Sequence, residues 1–90
     1  MASILKSASA GTMESSDAYV EIEPGRNGLE IHVESVVAQQ FGQAIEMAVK
    51  DVLQEQQVEN AVVRIVDRGA LDCVVRARVE TAVRRAGDES

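Results

Sequence analysis

The chain has 90 residues, 15 of them acidic and nine basic, so its formal charge is −6. This length predicts one domain with a single small core, and the acidic excess argues against a nucleic-acid binder, which needs a basic surface. Tryptophan is absent, and tyrosine and phenylalanine occur once each, so aliphatic side chains and alanine must fill the interior.

The beginning of the chain resembles a signal peptide only superficially. Residues 1–10 carry Lys6 and an alanine-rich end, but their apolar run is limited to Ile4 and Leu5, whereas export requires roughly seven or more apolar residues. No stretch approaches the roughly twenty apolar residues of a membrane span. The single cysteine, Cys73, cannot form an internal disulfide. We therefore expect a cytoplasmic protein that makes no use of a membrane.

The first half of the chain predicts two strands. Residues 1–15 are rich in serine, alanine and glycine and predict a flexible segment. Residues 17–23 alternate between apolar and polar side chains, as in a strand with one wet face, and residues 29–34 alternate in the same way. Residues 24–28 contain one proline and two glycines, which favour a turn. A β-hairpin is the expected arrangement.

The second half predicts a helix, a strand and a second helix. Ser35 is a candidate N-cap for a helix that runs to residue 56 or 57, with an apolar stripe of Val37, Phe41, Ala44, Ile45, Ala48, Val49 and Val52. Residues 60–66 form a β-branched run typical of a third strand. Asp67 is a candidate cap for a helix over residues 69–86, whose stripe consists of Leu71, Val74, Val75, Val79 and Ala82.

These elements predict an α+β fold, a two-layer sandwich in the order ββαβα. Two apolar helix stripes have to cover one apolar sheet face, which gives a three-stranded, mainly antiparallel sheet with both helices on one face. A right-handed crossover predicts the strand order 2-1-3. We therefore divide the chain into a flexible segment (residues 1–15), a single α+β domain (residues 16–86) and a tail (residues 87–90).

No side chain outside the N-terminal loop indicates catalysis or metal binding. His32 lies on the wet strand face between acidic residues, and a metal site needs more nitrogen or sulfur ligands. Cys73 falls opposite the apolar stripe of the second helix. It is either an unreactive thiol on the helix surface or a residue that packs against another subunit. Arg78 lies on the apolar side of the second helix, and we expect its stem to pack along the core with the guanidinium in water.

The polar stretch over residues 10–17 presents two hydroxyls in an exposed loop. Ser15 and Ser16 are flanked by Glu14 and Asp17, which resemble an acid/base pair, although a solvated acidic loop explains them as well. Two classes of function remain open from the residues alone. One is a carrier module that tethers a reactive group, and the other is a plain interaction domain without chemistry.

Four segments of the sequence resemble the acyl carrier protein (gamma) subunit of citrate lyase. Residues 11–17 are similar to that family's Gly-Thr-x-Glu-Ser-x-Asp segment, and residues 40–45 to its Gln-Phe-Gly-x-Ala-Ile helix. Residues 67–73 and 76–80 contain its Gly-Ala-Leu-Asp-Cys and Arg-Ala-Arg-x-Glu blocks. The blocks occur in the family's order, so the resemblance favours the carrier over the interaction domain.

The resemblance implies a covalent prosthetic group on Ser15. In the family, the serine of the Glu-Ser segment carries 2'-(5''-phosphoribosyl)-3'-dephospho-coenzyme A through a phosphodiester. A dedicated transferase attaches it from a triphosphoribosyl-dephospho-coenzyme A donor, so the carrier needs no base of its own. Ser16 follows Ser15 directly, and the register of the motif assigns the acceptor to Ser15.

The resemblance also implies partners and a place in citrate fermentation. The thiol of the arm carries acetyl and then citryl thioesters, which a citrate lyase ligase and the alpha (acyl-carrier transferase) and beta (citryl lyase) subunits process to acetate and oxaloacetate. The chain itself is then not an enzyme. The alternative is the carrier subunit of malonate decarboxylase, which uses the same kind of group but has a Gly-Ser-Gly-Asp-type segment. Citrate and a close analogue such as citramalate remain equally open.

Overall fold

The computed structural model describes residues 3–35 and 38–87, and within the first helix it describes side chains from residue 42 onward. Four strands and two helices follow one another along this part of the chain: β1 (Ala8–Gly11), β2 (Ala18–Pro24), β3 (Leu29–Ser35), α1 (Ala38–Glu55), β4 (Ala61–Asp67) and α2 (Asp72–Gly87). The α+β class is confirmed, whereas the predicted number of three strands is wrong.

The strands form one mixed sheet in the order β1-β2-β4-β3. β4 pairs antiparallel with β2 and parallel with β3, so the predicted hairpin of β2 with β3 and the predicted order 2-1-3 are both wrong. β4 can occupy the interior of the sheet because it is apolar on both faces. Val63 and Ile65 are fully buried towards the helices, while Val62 and Val66 are half-buried on the opposite face. The helix α1 makes the crossover that two parallel neighbours require.

The additional strand, β1, lies within the segment that the sequence predicted to be flexible. It pairs antiparallel with β2 along the edge of the sheet, and Ala10 is 3% exposed. Just before it, the backbone N–H of Leu5 donates to the carbonyl of Ala86 at 3.1 Å. The mobility of residues 1–15 stays a prediction, and most of the tail assigned to residues 87–90 lies outside the described residues.

The helices bury one face each against the sheet. In α1, Leu53 joins the core although the predicted stripe omits it, whereas Ala44 is exposed; Val37 and the side chain of Phe41 lie outside the described residues. In α2 the stripe continues further than predicted, through Val75, Val79, Ala82, Val83 and Ala86. Leu71 is 71% exposed, against the prediction, because the helix begins only at Asp72 and the preceding turn directs this side chain outward.

Asp67 fixes the connection between β4 and α2. Its carboxylate is 2% exposed and accepts hydrogen bonds from the Ser35 hydroxyl at 2.8 Å and from the backbone N–H of Ala70 at 2.9 Å. It therefore orders the turn before α2 and does not cap the helix at residue 69 as predicted. Ser35 is the last residue of β3, and its predicted N-cap role stays a prediction because residues 36 and 37 lie outside the described residues.

The chain direction brings several ends together at one pole. β3 and β4 are parallel and finish side by side, with Ser35 opposite Asp67, and β2 begins there because Ala18 is also opposite Asp67. The connection of β1 to β2, residues 12–17, lies at the same pole, as does the beginning of α2. We call this pole the turn end. Neither helix in residues 38–87 is long and apolar enough to cross a membrane.

Candidate functional site

The segment between β1 and β2 is a tight turn with Ser15 on its outside. The backbone N–H of Asp17 donates to the carbonyl of Glu14 at 3.2 Å, which closes a four-residue turn over residues 14–17. Ser16 takes the third position with a φ of 66°, a left-handed conformation that is uncommon for residues other than glycine. Ser15 takes the second position and is exposed, so its hydroxyl is presented to solvent by an ordered turn.

Asp17 anchors the turn through its side chain. The Arg78 guanidinium donates from both Nε and a terminal nitrogen to the two carboxylate oxygens, each at 3.0 Å, a paired geometry that arginine favours with carboxylates. The Thr12 hydroxyl donates at 2.6 Å and the backbone N–H of Ala18 at 2.8 Å. Arg78 above all, then Thr12 and Ala18, hold the pKa of Asp17 well below its usual range.

A second anchor is made of backbone atoms. The N–H of Ser16 donates to the carbonyl of Arg68 at 2.8 Å, and the N–H of Arg68 donates to the carbonyl of Asp17 at 2.9 Å. These two hydrogen bonds continue the pairing of β2 with β4 beyond the end of the strands. The turn is therefore attached to the end of β4 by its backbone and to α2 by a side chain, and Ser15 takes part in neither attachment.

Gly11 allows the hairpin to close so tightly. Its φ is +92°, and a Cβ at this position would collide with the carbonyl oxygen of Ala18 and lie 3.1 Å from Cδ of Arg78. A larger residue would therefore disturb both the hairpin and the arginine that holds Asp17. This close contact explains why the first residue of the motif over residues 11–17 is a glycine.

Two interpretations from the sequence change at this site. Asp17 is not a solvated acid, since its side chain is 14% exposed and paired. The guanidinium of Arg78 was expected to be solvated, but it forms the paired hydrogen bonds with Asp17. Sequence reasoning missed this pair, although an arginine on the apolar side of a helix, in a chain with an aspartate in a small-residue loop, is a signal that a partner exists.

The other candidates lie apart from the turn. Cys73 is an exposed free thiol on α2. His32 is exposed on β3 and lies 2.8 Å from Glu30, as expected of a surface histidine. Within residues 3–35 and 38–87 no three acidic, histidine or cysteine side chains come together in a way that could hold a metal ion.

The Ser15 hydroxyl is exposed, and no side chain of the described residues is placed to activate it. No hydrogen bond in the described part of the chain joins the Ser15 hydroxyl to a basic side chain, and Glu14 is exposed beside it. A hydrolytic enzyme would need a base within hydrogen-bonding distance of this hydroxyl. The geometry instead suits a hydroxyl that another protein approaches from solvent.

The chain is similar to acyl carrier proteins over most of its length. The family described as "ACP: Malonate decarboxylase delta subunit (MdcD)" matches residues 5–86. Citrate lyase acyl carrier protein of Vibrio cholerae serotype O1 is 55% identical over 80 residues, which is 88% of this chain and 82% of that protein. The protein of the same name from Rhodopseudomonas palustris is 51% identical over 86 residues, 96% of this chain and 89% of its own.

The fold is also similar to that of a solved structure. A chain in the crystal structure of a Pseudomonas malonate decarboxylase hetero-tetramer in complex with malonate has a TM-score of 0.81 at 26% identity, over 97% of this chain and 93% of that one. The similarity in sequence to the citrate lyase proteins is higher and covers the motif over residues 11–17. The chain belongs to the citrate lyase acyl carrier protein family.

Proposed function

We propose that the chain is the acyl carrier subunit of a citrate lyase complex and that Ser15 carries its prosthetic group. The observation that supports this assignment most directly is the turn over residues 14–17, which holds both flanks of Ser15 while leaving its hydroxyl exposed. A fixed backbone around a free hydroxyl lets a transferase recognise one serine and reject its neighbour Ser16, whose N–H is bonded to Arg68.

The proposed attachment is a phosphoryl transfer to the Ser15 hydroxyl. Its oxygen attacks the phosphorus nearest the ribose of a triphosphoribosyl-dephospho-coenzyme A donor, and a new oxygen–phosphorus bond forms. The bond to the next phosphate breaks and pyrophosphate leaves. The proton of the hydroxyl goes to a base of the transferase, since no base of this chain is hydrogen-bonded to Ser15. The product is a phosphodiester to phosphoribosyl-dephospho-coenzyme A.

The attached group supplies a terminal thiol, on which acyl groups are carried as thioesters. We propose that a ligase first acetylates the arm and that an alpha subunit then exchanges the acetyl group for a citryl group, which releases acetate. A beta subunit cleaves the citryl thioester to oxaloacetate and leaves an acetyl group on the thiol for the next cycle. The carrier contributes position and reach, because a tether replaces diffusion with a high local concentration. We place it in the cytoplasm, where a free exposed thiol such as Cys73 persists.

A carrier of malonate decarboxylase is the second candidate. The TM-score of 0.81 to a chain of that enzyme supports it, while the 26% identity is about half of that to the citrate lyase proteins. Combining the loaded chain with the large subunits of each enzyme, and supplying citrate or malonate, separates the two candidates. Turnover of malonate alone would favour the second.

Ser15→Ala should abolish attachment, whereas Ser16→Ala and Cys73→Ser should leave it intact. Incubation with transferase and donor, followed by intact mass measurement and peptide mapping, checks this. An exposed hydroxyl adds little to folding, so the free energy of unfolding should change by no more than about 0.5 kcal/mol. Modification of Ser16 would contradict the residue assignment but not the carrier role. Modification of Cys73, or of no serine in the wild type, would contradict the proposed function.

A further inference from the structure

A shallow cavity opens at the turn end, on the sheet face that the helices do not cover. It has a volume of about 350 Å³, and its walls are Met13, Glu34, Ser35, Val66, Asp67 and Arg68. Met13 precedes Ser15 by two residues in the segment between β1 and β2. Arg68 exchanges backbone hydrogen bonds with the two residues that follow Ser15. The cavity therefore borders the segment that carries the proposed attachment point.

Arg68 is the cation of this cavity, and no carboxylate of the described residues pairs with it. Four other arginines each lie within 4 Å of a carboxylate: Arg64, Arg76, Arg78 and Arg84. Arg85 donates instead to the carbonyl of Ser9 at 2.9 Å. Arg26 has no carboxylate partner among the described residues either, but it lies in the loop at the opposite pole, so Arg68 is the unpaired guanidinium next to the turn that carries Ser15. Its backbone is held at both its N–H and its carbonyl, so the cation starts from a fixed position.

We propose, on the basis of the function assigned above, that Arg68 binds the phosphodiester that joins the prosthetic group to Ser15. The planar guanidinium presents two parallel N–H donors that match two oxygens of a phosphate. A phosphodiester keeps one negative charge at neutral pH, which Arg68 would neutralise. The ligand class is a phosphate bound to a sugar, and the cavity would receive that sugar.

The other side chains of the cavity determine the direction in which the prosthetic group extends from Ser15. Glu34 is exposed on β3 at the other side, and its negative charge disfavours a phosphate there while its oxygens can accept hydrogen bonds from sugar hydroxyls. Asp67 also borders the cavity, but its carboxylate is 2% exposed and already accepts hydrogen bonds from Ser35 and Ala70. Val66 and Met13 provide apolar walls between Arg68 and Glu34. The phosphate therefore lies next to Arg68, and the first part of the prosthetic group runs from there over the open sheet face towards β3. Only the base of the arm is held, so its distal thiol stays free to reach other subunits.

The test compares Arg68→Ala and Arg68→Lys with the control Arg26→Ala, which removes an exposed arginine from the loop at the opposite pole. Each variant is loaded at Ser15, and the phosphorus-31 resonance of the phosphodiester is recorded. The KM of the donor in the attachment reaction is measured in parallel. We expect Arg68→Ala to shift the resonance and to raise KM about tenfold, the effect of one charge-assisted contact, with an intermediate effect for Arg68→Lys and none for Arg26→Ala.

The outcomes distinguish this inference from the function on which it rests. A phosphodiester resonance that appears in the wild type and is identical in Arg68→Ala, with an unchanged KM, would overturn the role of Arg68 alone. Absence of that resonance from the wild type after incubation with transferase and donor would overturn the proposed function as well. Melting curves of all variants check that the fold is retained, as expected for an exposed side chain whose backbone bonds remain.

Discussion

At the scale of single residues, one ion pair determines the conformation of the site. Asp17 and Arg78 are 61 positions apart in the sequence, and their two 3.0 Å hydrogen bonds connect the turn to α2. Thr12 adds a third donor from inside the turn. Removal of either charge would leave the other without its partner. The pair thus makes the orientation of Ser15 depend on the position of a helix.

The lowered pKa of Asp17 predicts how this pair responds to acid. A carboxylate whose pKa is lower in the folded than in the unfolded state stabilises the fold at pH values above its unfolded-state pKa. This contribution is lost as the pH falls through the folded-state pKa. The ordinary pKa of an aspartate is 3.8. Asp17→Asn should therefore lower the melting temperature by a constant amount between about pH 5 and 8, and this difference should shrink below about pH 4.

Thermal unfolding of the wild type and Asp17→Asn over this pH range checks the prediction. Glu59→Gln serves as the control, because Glu59 is exposed in the loop before β4 and its replacement changes the net charge by the same amount. A difference for Asp17→Asn that persists unchanged at pH 3 would show that the charge of Asp17 is not what stabilises the turn.

At the scale of elements, the two helices are held by aliphatic side chains that differ greatly in burial. Leu53 of α1 is fully buried, at 0% exposure, together with Val49 of the same helix and Ile65 of β4. Leu71, just before α2, is exposed by 71%. The two leucines look alike in a hydrophobicity profile, yet only the first contributes to the core.

Leu53→Ala should reduce the free energy of unfolding by about 2–5 kcal/mol, because it removes buried methyl groups and leaves a cavity. Leu71→Ala should change it by no more than about 0.5 kcal/mol. Urea unfolding measures both, and the slope should stay constant so that the midpoint reports stability. Equal losses in the two variants would mean that Leu71 is covered in solution, for instance by a second molecule.

The sequence predicts those elements whose periodicity involves large apolar residues. β2 and β3 were placed to within one residue by alternation and β4 by its β-branched run, and the buried stripes of the helices were largely recognised. β1 was missed because its four residues are Ala-Ser-Ala-Gly, which carry no large side chain to alternate. Val62 and Val66 indicate the interior position of β4, because they make its second face apolar and an edge strand needs only one apolar face.

Part of the candidate site could be predicted from the sequence and part could not. Ser15 was predicted by resemblance to a motif, and its exposure follows from the polar composition around it. The contact of Asp17 with Arg78 joins distant parts of the chain, and neither spacing nor periodicity encodes such a pair. The backbone bonds of Arg68 depend on β4 lying next to β2, which the predicted strand order did not include.

At the scale of the whole molecule, the groups with a proposed role lie at the turn end. Ser15, the anchoring pair and Arg68 come from three different parts of the chain. In residues 3–35 and 38–87 no arrangement of metal ligands accompanies them. In the proposed function, other proteins perform the chemistry on the group that this domain carries.

The purified chain, loaded with its prosthetic group and acetylated, should therefore not cleave citrate by itself. Activity should appear only after addition of both large subunits and should be absent with Ser15→Ala, because the variant has no attachment hydroxyl. A coupled assay for oxaloacetate measures this, with Ser16→Ala as the matched control. Cleavage by the chain alone would contradict the carrier role, and full activity of the Ser15→Ala complex would favour a plain interaction domain.

The hydrogen bond between Leu5 and Ala86 has a consequence for handling the protein. It brings the two outermost described segments together, and Ser3 approaches Gly87 so closely that a Cβ there would lie 3.0 Å from its carbonyl oxygen. Because α2 rises over about 24 Å from the turn end, both segments emerge at the opposite pole. A purification tag, a fluorophore or a surface linker fused at either side would point away from the serine. The two sides are also near enough for a short peptide to join them in a circular permutant.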